Sequence, residues 1–142
     1  MIKTFRGELA DGSQDTIRLS TNQGLVGYKI LKLEAMGVRP AATDQESLLK
    51  VYTRKQTAVT DTVTFDDGSL IATCFYDNSN STGVNATQTI VIDNVIVNQD
   101  LFITHSEGAG ASACNYYIEL EQVRLDLNEA TVATLKDMRG TE

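Results

Sequence analysis

The stretch Asp66-Asp67-Gly68-Ser69-Leu70-Ile71-Ala72-Thr73-Cys74-Phe75-Tyr76 decides the fold class. Asp-Asp-Gly is turn chemistry, because Asp and Gly tolerate the backbone angles of tight connections. The eight residues after it are apolar at both alternating positions. A strand covered on both faces belongs in the middle of a sheet. Outward from it, shorter runs alternate with period two, as half-buried strands do. Residues 16–20 alternate cleanly. Residues 27–38 place Leu31, Leu33 and Ala35 on one face and Lys32 and Glu34 on the other. Residues 47–54 set Leu49 and Val51 against Lys50 and Tyr52. Residues 62–65 read as a short strand, 89–92 and 95–97 as two strands about Asp93-Asn94, and 101–104 and 116–125 as two more.

The prediction is an all-β domain over residues 1–142, a jelly-roll-like β-sandwich of about eight short strands. The C-terminus changes period. Asn128 reads as a cap, Glu129 suits a helix N-terminus, and Val132, Leu135 and Met138 or Arg139 recur at helical spacing before Gly140. This predicts a short helix over about residues 128–139, too short to stand alone. Packing on its own sheet is the ordinary expectation for it, and contact with another molecule the second.

Composition narrows the function. The chain has 142 residues, 12 Lys and Arg against 19 Asp and Glu, and a net charge of −7. An acidic surface repels phosphate, which argues against nucleic acid as a partner. No window approaches the apolar length of a membrane helix, so no membrane partner is expected. The first residues are basic but lack the apolar core of a signal peptide. Two cysteines, Cys74 and Cys114, are expected as free thiols with at least one buried, a disulfide between adjacent strands being the other reading.

Chemistry-bearing patterns are few. Thr104-His105-Ser106-Glu107 reads as a strand ending in a polar turn with an exposed histidine; a triad through His105 would need partners brought together in space. Gly108-Ala109-Gly110 lacks the lysine and helix of a phosphate loop. Asp61, Asp66, Asp67 and Asp77 crowd one stretch, but hairpin turns account for most of them. The run from Asp77 to Gly83 faintly matches a calcium loop, without its sixth-position Gly or twelfth-position Glu. Tyr28, Tyr52, Tyr76, Tyr116 and Tyr117 could together line a sugar-binding face. Loops 77–88 and 107–113 are the expected exposed loops. No catalytic residue, cofactor or metal ligand is assigned, and an enzyme is not expected.

The succession Met1-Ile2-Lys3-Thr4-Phe5-Arg6-Gly7, Thr16-Ile17-Arg18-Leu19-Ser20, Gln99-Asp100-Leu101-Phe102-Ile103-Thr104, Asn115-Tyr116-Tyr117-Ile118-Glu119-Leu120 and Leu125-Asp126-Leu127-Asn128-Glu129 is similar to small virion-associated structural proteins of marine tailed bacteriophages. The resemblance is one of sequence style along nearly the whole chain. It implies a capsid decoration (cement) or minor capsid protein, made in the host cytoplasm and located on the virion. The implied partner is the major capsid protein lattice, with a homo-oligomer, a trimer by preference. The candidate contact elements are residues 1–9 and the C-terminal helix. The candidate partner-binding residues are Ile2, Phe5, Val132, Leu135, Met138 and Tyr117. The alternative is a carbohydrate- or receptor-binding sandwich on a virion appendage.

Overall fold

The computed structural model describes residues 1–21, 24–42, 44–78 and 87–139. Their elements run β1 (Ile2–Leu9), β2 (Gln14–Ile17), β3 (Val26–Gly37), β4 (Gln45–Tyr52), β5 (Leu70–Asn78), β6 (Thr87–Ile92), β7 (Leu101–Glu107), β8 (Cys114–Arg124) and α1 (Leu127–Arg139). The strands form two antiparallel sheets, ordered β1-β8-β3 and β2-β7-β4-β5-β6. The chain is thus the expected all-β sandwich with a short C-terminal helix.

The pairings follow one rule. β1 pairs with β8, β2 with β7 and β4 with β5, as if the chain were one long hairpin. Rolling that hairpin brings β8 against β3 and β7 against β4, which is jelly-roll wrapping. The remaining pairing, β3 with β6, does not form. β6 stays in a hairpin with β5. Two smaller links hold that side. Tyr28 and Val97 exchange backbone hydrogen bonds of 2.7 and 2.9 Å. The Ala35 N–H donates to Gln88 Oε1 at 2.8 Å. The expected strand 95–97 is reduced to this one bridge.

The core lies between the sheets. Leu33, Ile118 and Leu120 from the small sheet meet Leu49, Val51 and Ile103 from the large one, all fully buried. Each such side chain contributes about 1.5–3 kcal/mol on burial. The expected inward face of β3 needs one correction. A bulge between Ile30 and Lys32 shifts the register. Tyr28 and Ile30 point inward before it, Leu33 and Ala35 after it, and Leu31 is turned out to solvent. A bulge inserts one residue and so flips the alternation.

Residues 1–9, a candidate contact element, hold the strand β1, laddered to β8 from Ile2 to Leu9. Phe5 and Leu9 turn inward, Phe5 packing against the core. Ile2 stays exposed.

Two polar residues expected outside are inside. Lys50, opposite the core on β4, is only 2% exposed. Chain 53–69 crosses that outer face, and Lys50 Nζ donates to the Thr62 carbonyl at 2.8 Å and to Thr60 Oγ1 at 3.2 Å. Residues 62–65, expected as a strand, are instead this irregular cover. Burial pushes the Lys50 ammonium below its ordinary range, against the pull of Asp61 and Asp67. His105 is likewise buried within β7 rather than exposed in a turn. Its Nδ1 lies 3.2 Å from the Ala10 carbonyl and its Nε2 2.9 Å from Ser47 Oγ.

Lys50→Ala removes both the buried stem and the anchor of the cover. It should lower stability by about 2–4 kcal/mol in urea titration and speed amide exchange in residues 57–66. Lys50→Met keeps the stem without the charge and should lose less than half of that. Equal losses for the two would show that the ammonium, not the stem, carries the contribution.

Candidate functional site

Helix α1 starts where the sequence supplies a capping box. Asp126 Oδ1 accepts the Glu129 N–H at 2.7 Å, and Glu129 Oε1 accepts the Asp126 N–H at 3.2 Å. The cap is Asp126, not the expected Asn128. The helix packs on its own sandwich with its small residues. Ala130 and Ala133 are buried with Leu125, against Leu25 and Val123.

A polar clasp fixes its depth. Asn98, fully buried, donates from Nδ2 to the Gly24 carbonyl (3.1 Å), the Ala130 carbonyl (3.1 Å) and Thr134 Oγ1 (2.7 Å). Its own N–H donates to Asp137 Oδ2 at 3.0 Å. Gly24 has φ +65°, and a side chain there would meet Asn98 Nδ2 at 2.9 Å. Burial raises the Asp137 carboxyl above its ordinary range, although the Asn98 and Gln99 N–H groups favour its ionised form.

Because alanines face inward, the large apolar residues face out. Leu127 is 72% exposed, Val132 65% and Leu135 53%. Helical periodicity identified Val132 and Leu135, but they are not the packing stripe. Beside them lies an open groove of about 490 Å³ between α1 and residues 94–96, floored by Leu125 and Ile96. Met138 falls in the last turn, and its side chain is outside the described residues, as is Gly140.

A second concavity, of about 570 Å³, lies on the small sheet. The register brings Arg6, Tyr117 and Glu34 side by side across β1, β8 and β3. Lys32 Nζ sits 3.2 Å from Glu34 and 3.9 Å from Glu119. Tyr117 is half-buried there, and burial with the charge and hydrogen bond of Glu119 raises its phenol. The other four tyrosines, Tyr28, Tyr52, Tyr76 and Tyr116, are buried. Tyr116 donates to Asp15 Oδ2 at 3.1 Å. The expected tyrosine platform is therefore not assembled.

Ile2 and Tyr117 belong to the small sheet, and Val132 and Leu135 to α1. The catalytic candidates are accounted for locally. Ser47 and His105 pair inside the sandwich, with Ser47 Oγ accepting from Gln45 Nε2 at 2.7 Å. Asp67 holds its own turn by accepting the Ser69 N–H and hydroxyl at 2.9 and 2.7 Å. Glu107 gathers the N–H groups of Glu46, Ala109 and Gly110, ordering the start of the expected loop 107–113. Both cysteines are free and buried, and burial pushes the Cys74 thiol up to about 12. Among the described residues no group of three His, Cys, Asp or Glu is placed to hold a metal ion. Of the calcium-like stretch, residues 79–83 lie outside the described residues, as does most of loop 77–88.

Comparison with protein-family models, with characterised proteins and with solved structures finds no match to this chain.

The clasp is testable. Asn98→Ala should free α1, lowering helical signal and raising exchange in residues 127–137, at about 2–3 kcal/mol. Asp137→Asn keeps an acceptor without a charge. The raised carboxyl makes the native state hold its proton longer than the unfolded chain. Wild-type stability relative to Asp137→Asn should therefore fall as pH rises above 3.8. A flat or rising difference over that range would contradict this environment for Asp137.

Proposed function

We propose that the chain is a non-enzymatic virion structural protein that binds and stabilises a phage capsid shell as a decoration (cement) or minor capsid subunit. Its partner is the major capsid protein lattice. The observation that carries the reading is the outer face of α1. A helix already docked by Ala130, Ala133 and Asn98 still presents Leu127, Val132 and Leu135 to solvent. Large exposed apolar side chains grouped on one rigid element mark contact surfaces more often than idle ones.

Other features support it. The sequence resembles small virion-associated proteins. The rolled β-sandwich is a rigid scaffold of the kind that packs densely on a shell. The Ser47–His105 pair is enclosed, so a substrate would have to open the sandwich to reach it. The carbohydrate-binding alternative is weakened because Tyr117 is the only partly exposed tyrosine.

The test is co-sedimentation of purified protein with capsid shells lacking it. Saturable, stoichiometric binding at micromolar concentration is expected. The double variant Val132→Asp, Leu135→Asp should weaken it by roughly a hundredfold, since each buried apolar contact accounts for about a tenfold change. Absence of binding by the wild type would overturn the reading. Binding untouched by the double variant would move the contact off α1.

A further inference from the structure

The two sheets end in four edges, and three of them are blunted. β1 carries Lys3, Arg6 and Glu8. β2 has only four residues, one of them Asp15. The edge of β3 is occupied in part by Val97 and by the Gln88 side chain. Natural sheets disarm their edges with charge, shortness and cover of this kind. β6, Thr87-Gln88-Thr89-Ile90-Val91-Ile92, has none of these devices. It is uncharged, lacks proline, is rich in β-branched residues, and among the described residues nothing pairs with its outer side.

The register shows which groups that edge offers. The Asp93 N–H donates to the Ile71 carbonyl at 2.9 Å, continuing the ladder in which Val91 faces Thr73 and Thr89 faces Phe75. Odd-numbered residues therefore bond to β5. Gln88, Ile90 and Ile92 direct their backbone N–H and C=O groups to the open edge. Apolar side chains flank it on both sides. Ile90 faces inward yet is 40% exposed, because the small sheet stops at β3. On the outer side Val91, Phe75 and Phe65 are exposed, with Phe65 and Val91 lining one shallow depression.

We propose that β6 is a self-pairing edge, and that two copies of this chain associate antiparallel through it about a two-fold axis at Ile90. In that ladder Ile90 pairs with Ile90 of the second copy and Gln88 with its Ile92. This forms about six backbone hydrogen bonds. On the outer face Thr89 stands opposite Val91, a β-branched pair. The charge pattern selects a second copy as the occupant. From Asn78 to Ile92 the sequence has 15 residues without a charge, its longest such run, in a chain of net charge −7. Two acidic molecules can meet there without apposing like charges along the ladder. A strongly charged partner would find nothing to pair with. The contact is small, so the dimer is weak and concentration-dependent. It is two-fold, unlike the trimer implied by the sequence resemblance, and it does not depend on shell binding.

The experiment is sedimentation equilibrium of the full chain across micromolar to sub-millimolar concentration. The expected result is a reversible approach to twice the 15.5 kDa chain mass. Ile90→Pro removes an N–H that β5 does not use, and should weaken the dimer by roughly tenfold or more. Thr89→Lys sets two ammonium groups near the axis and should do the same; if Ile90→Pro fails to fold, Thr89→Lys alone decides. A monomer at every concentration, a trimer, or a dimer unaffected by a folded variant would overturn the proposal.

Discussion

Three strands cannot cover five. Neighbouring strands lie about 4.8 Å apart, so the small sheet spans about 10 Å across its strands against about 19 Å for the large one. Everything at the margins of this molecule follows from that mismatch. The small sheet, centred on β8, shares the core with the large one, while the far strand β6 overhangs. The uncovered margin is closed by a side chain, not by a strand. Gln88 Oε1 accepts both the Ala35 N–H at 2.8 Å and the Cys74 thiol at 3.2 Å. One amide oxygen thus satisfies two groups that a β3–β6 ladder would otherwise have paired or covered.

The wide sheet raises a second problem on its outer face, where no third layer lies. Chain 53–69 serves as that layer over β4, and it is polar. Lys50 holds it with a buried stem and with an ammonium that gives the irregular backbone a donor. The same economy recurs at the other end. Asp100 Oδ1 accepts the N–H groups of Leu19 and Ser20 and the Ser20 hydroxyl, tying the chain after β2 to the start of β7. Buried or half-buried polar side chains are the fasteners of the loops here. They sit inside because unpaired backbone groups there are costlier than the side chains that satisfy them.

This explains where the sequence is readable and where it misleads. The doubly apolar run of β5 reports a strand buried on both faces, and the period-two alternation of β8 reports its inward and outward sides. On β3 it fails at Leu31, since Leu31 and Leu33 are the same residue type and the bulge between Ile30 and Lys32 has no compositional mark. Lys50 misreads because a polar residue facing away from a core normally meets water, and here the irregular chain that follows β4 folds back over it. His105 misreads because it lies on the inward face of β7 with Leu101 and Ile103, where Ser47 and the Ala10 carbonyl meet its ring. On residue type Asn128 reads as the cap of α1, because the Asp126–Glu129 spacing of the capping box competes with it and only the structure shows which is used. Nothing local marks Asn98, whose partners are Gly24, Ala130 and Thr134.

The helix shows why periodicity and function separate. Thirteen residues do not hold a helix in water unaided. The usual remedy buries the large apolar residues, which leaves nothing to bind with. In α1 the sandwich holds the small side through two alanines and a hydrogen-bonded asparagine, and the large side remains free. Under the proposed reading, a partner meeting Leu127, Val132 and Leu135 would not have to order the helix first, because folding has already met that cost. The buried Asp137 belongs to the same device. A leucine there would leave the Asn98 N–H without an acceptor and the helix without a fixed depth. The polar clasp thus sets the position of the helix as well as holding it.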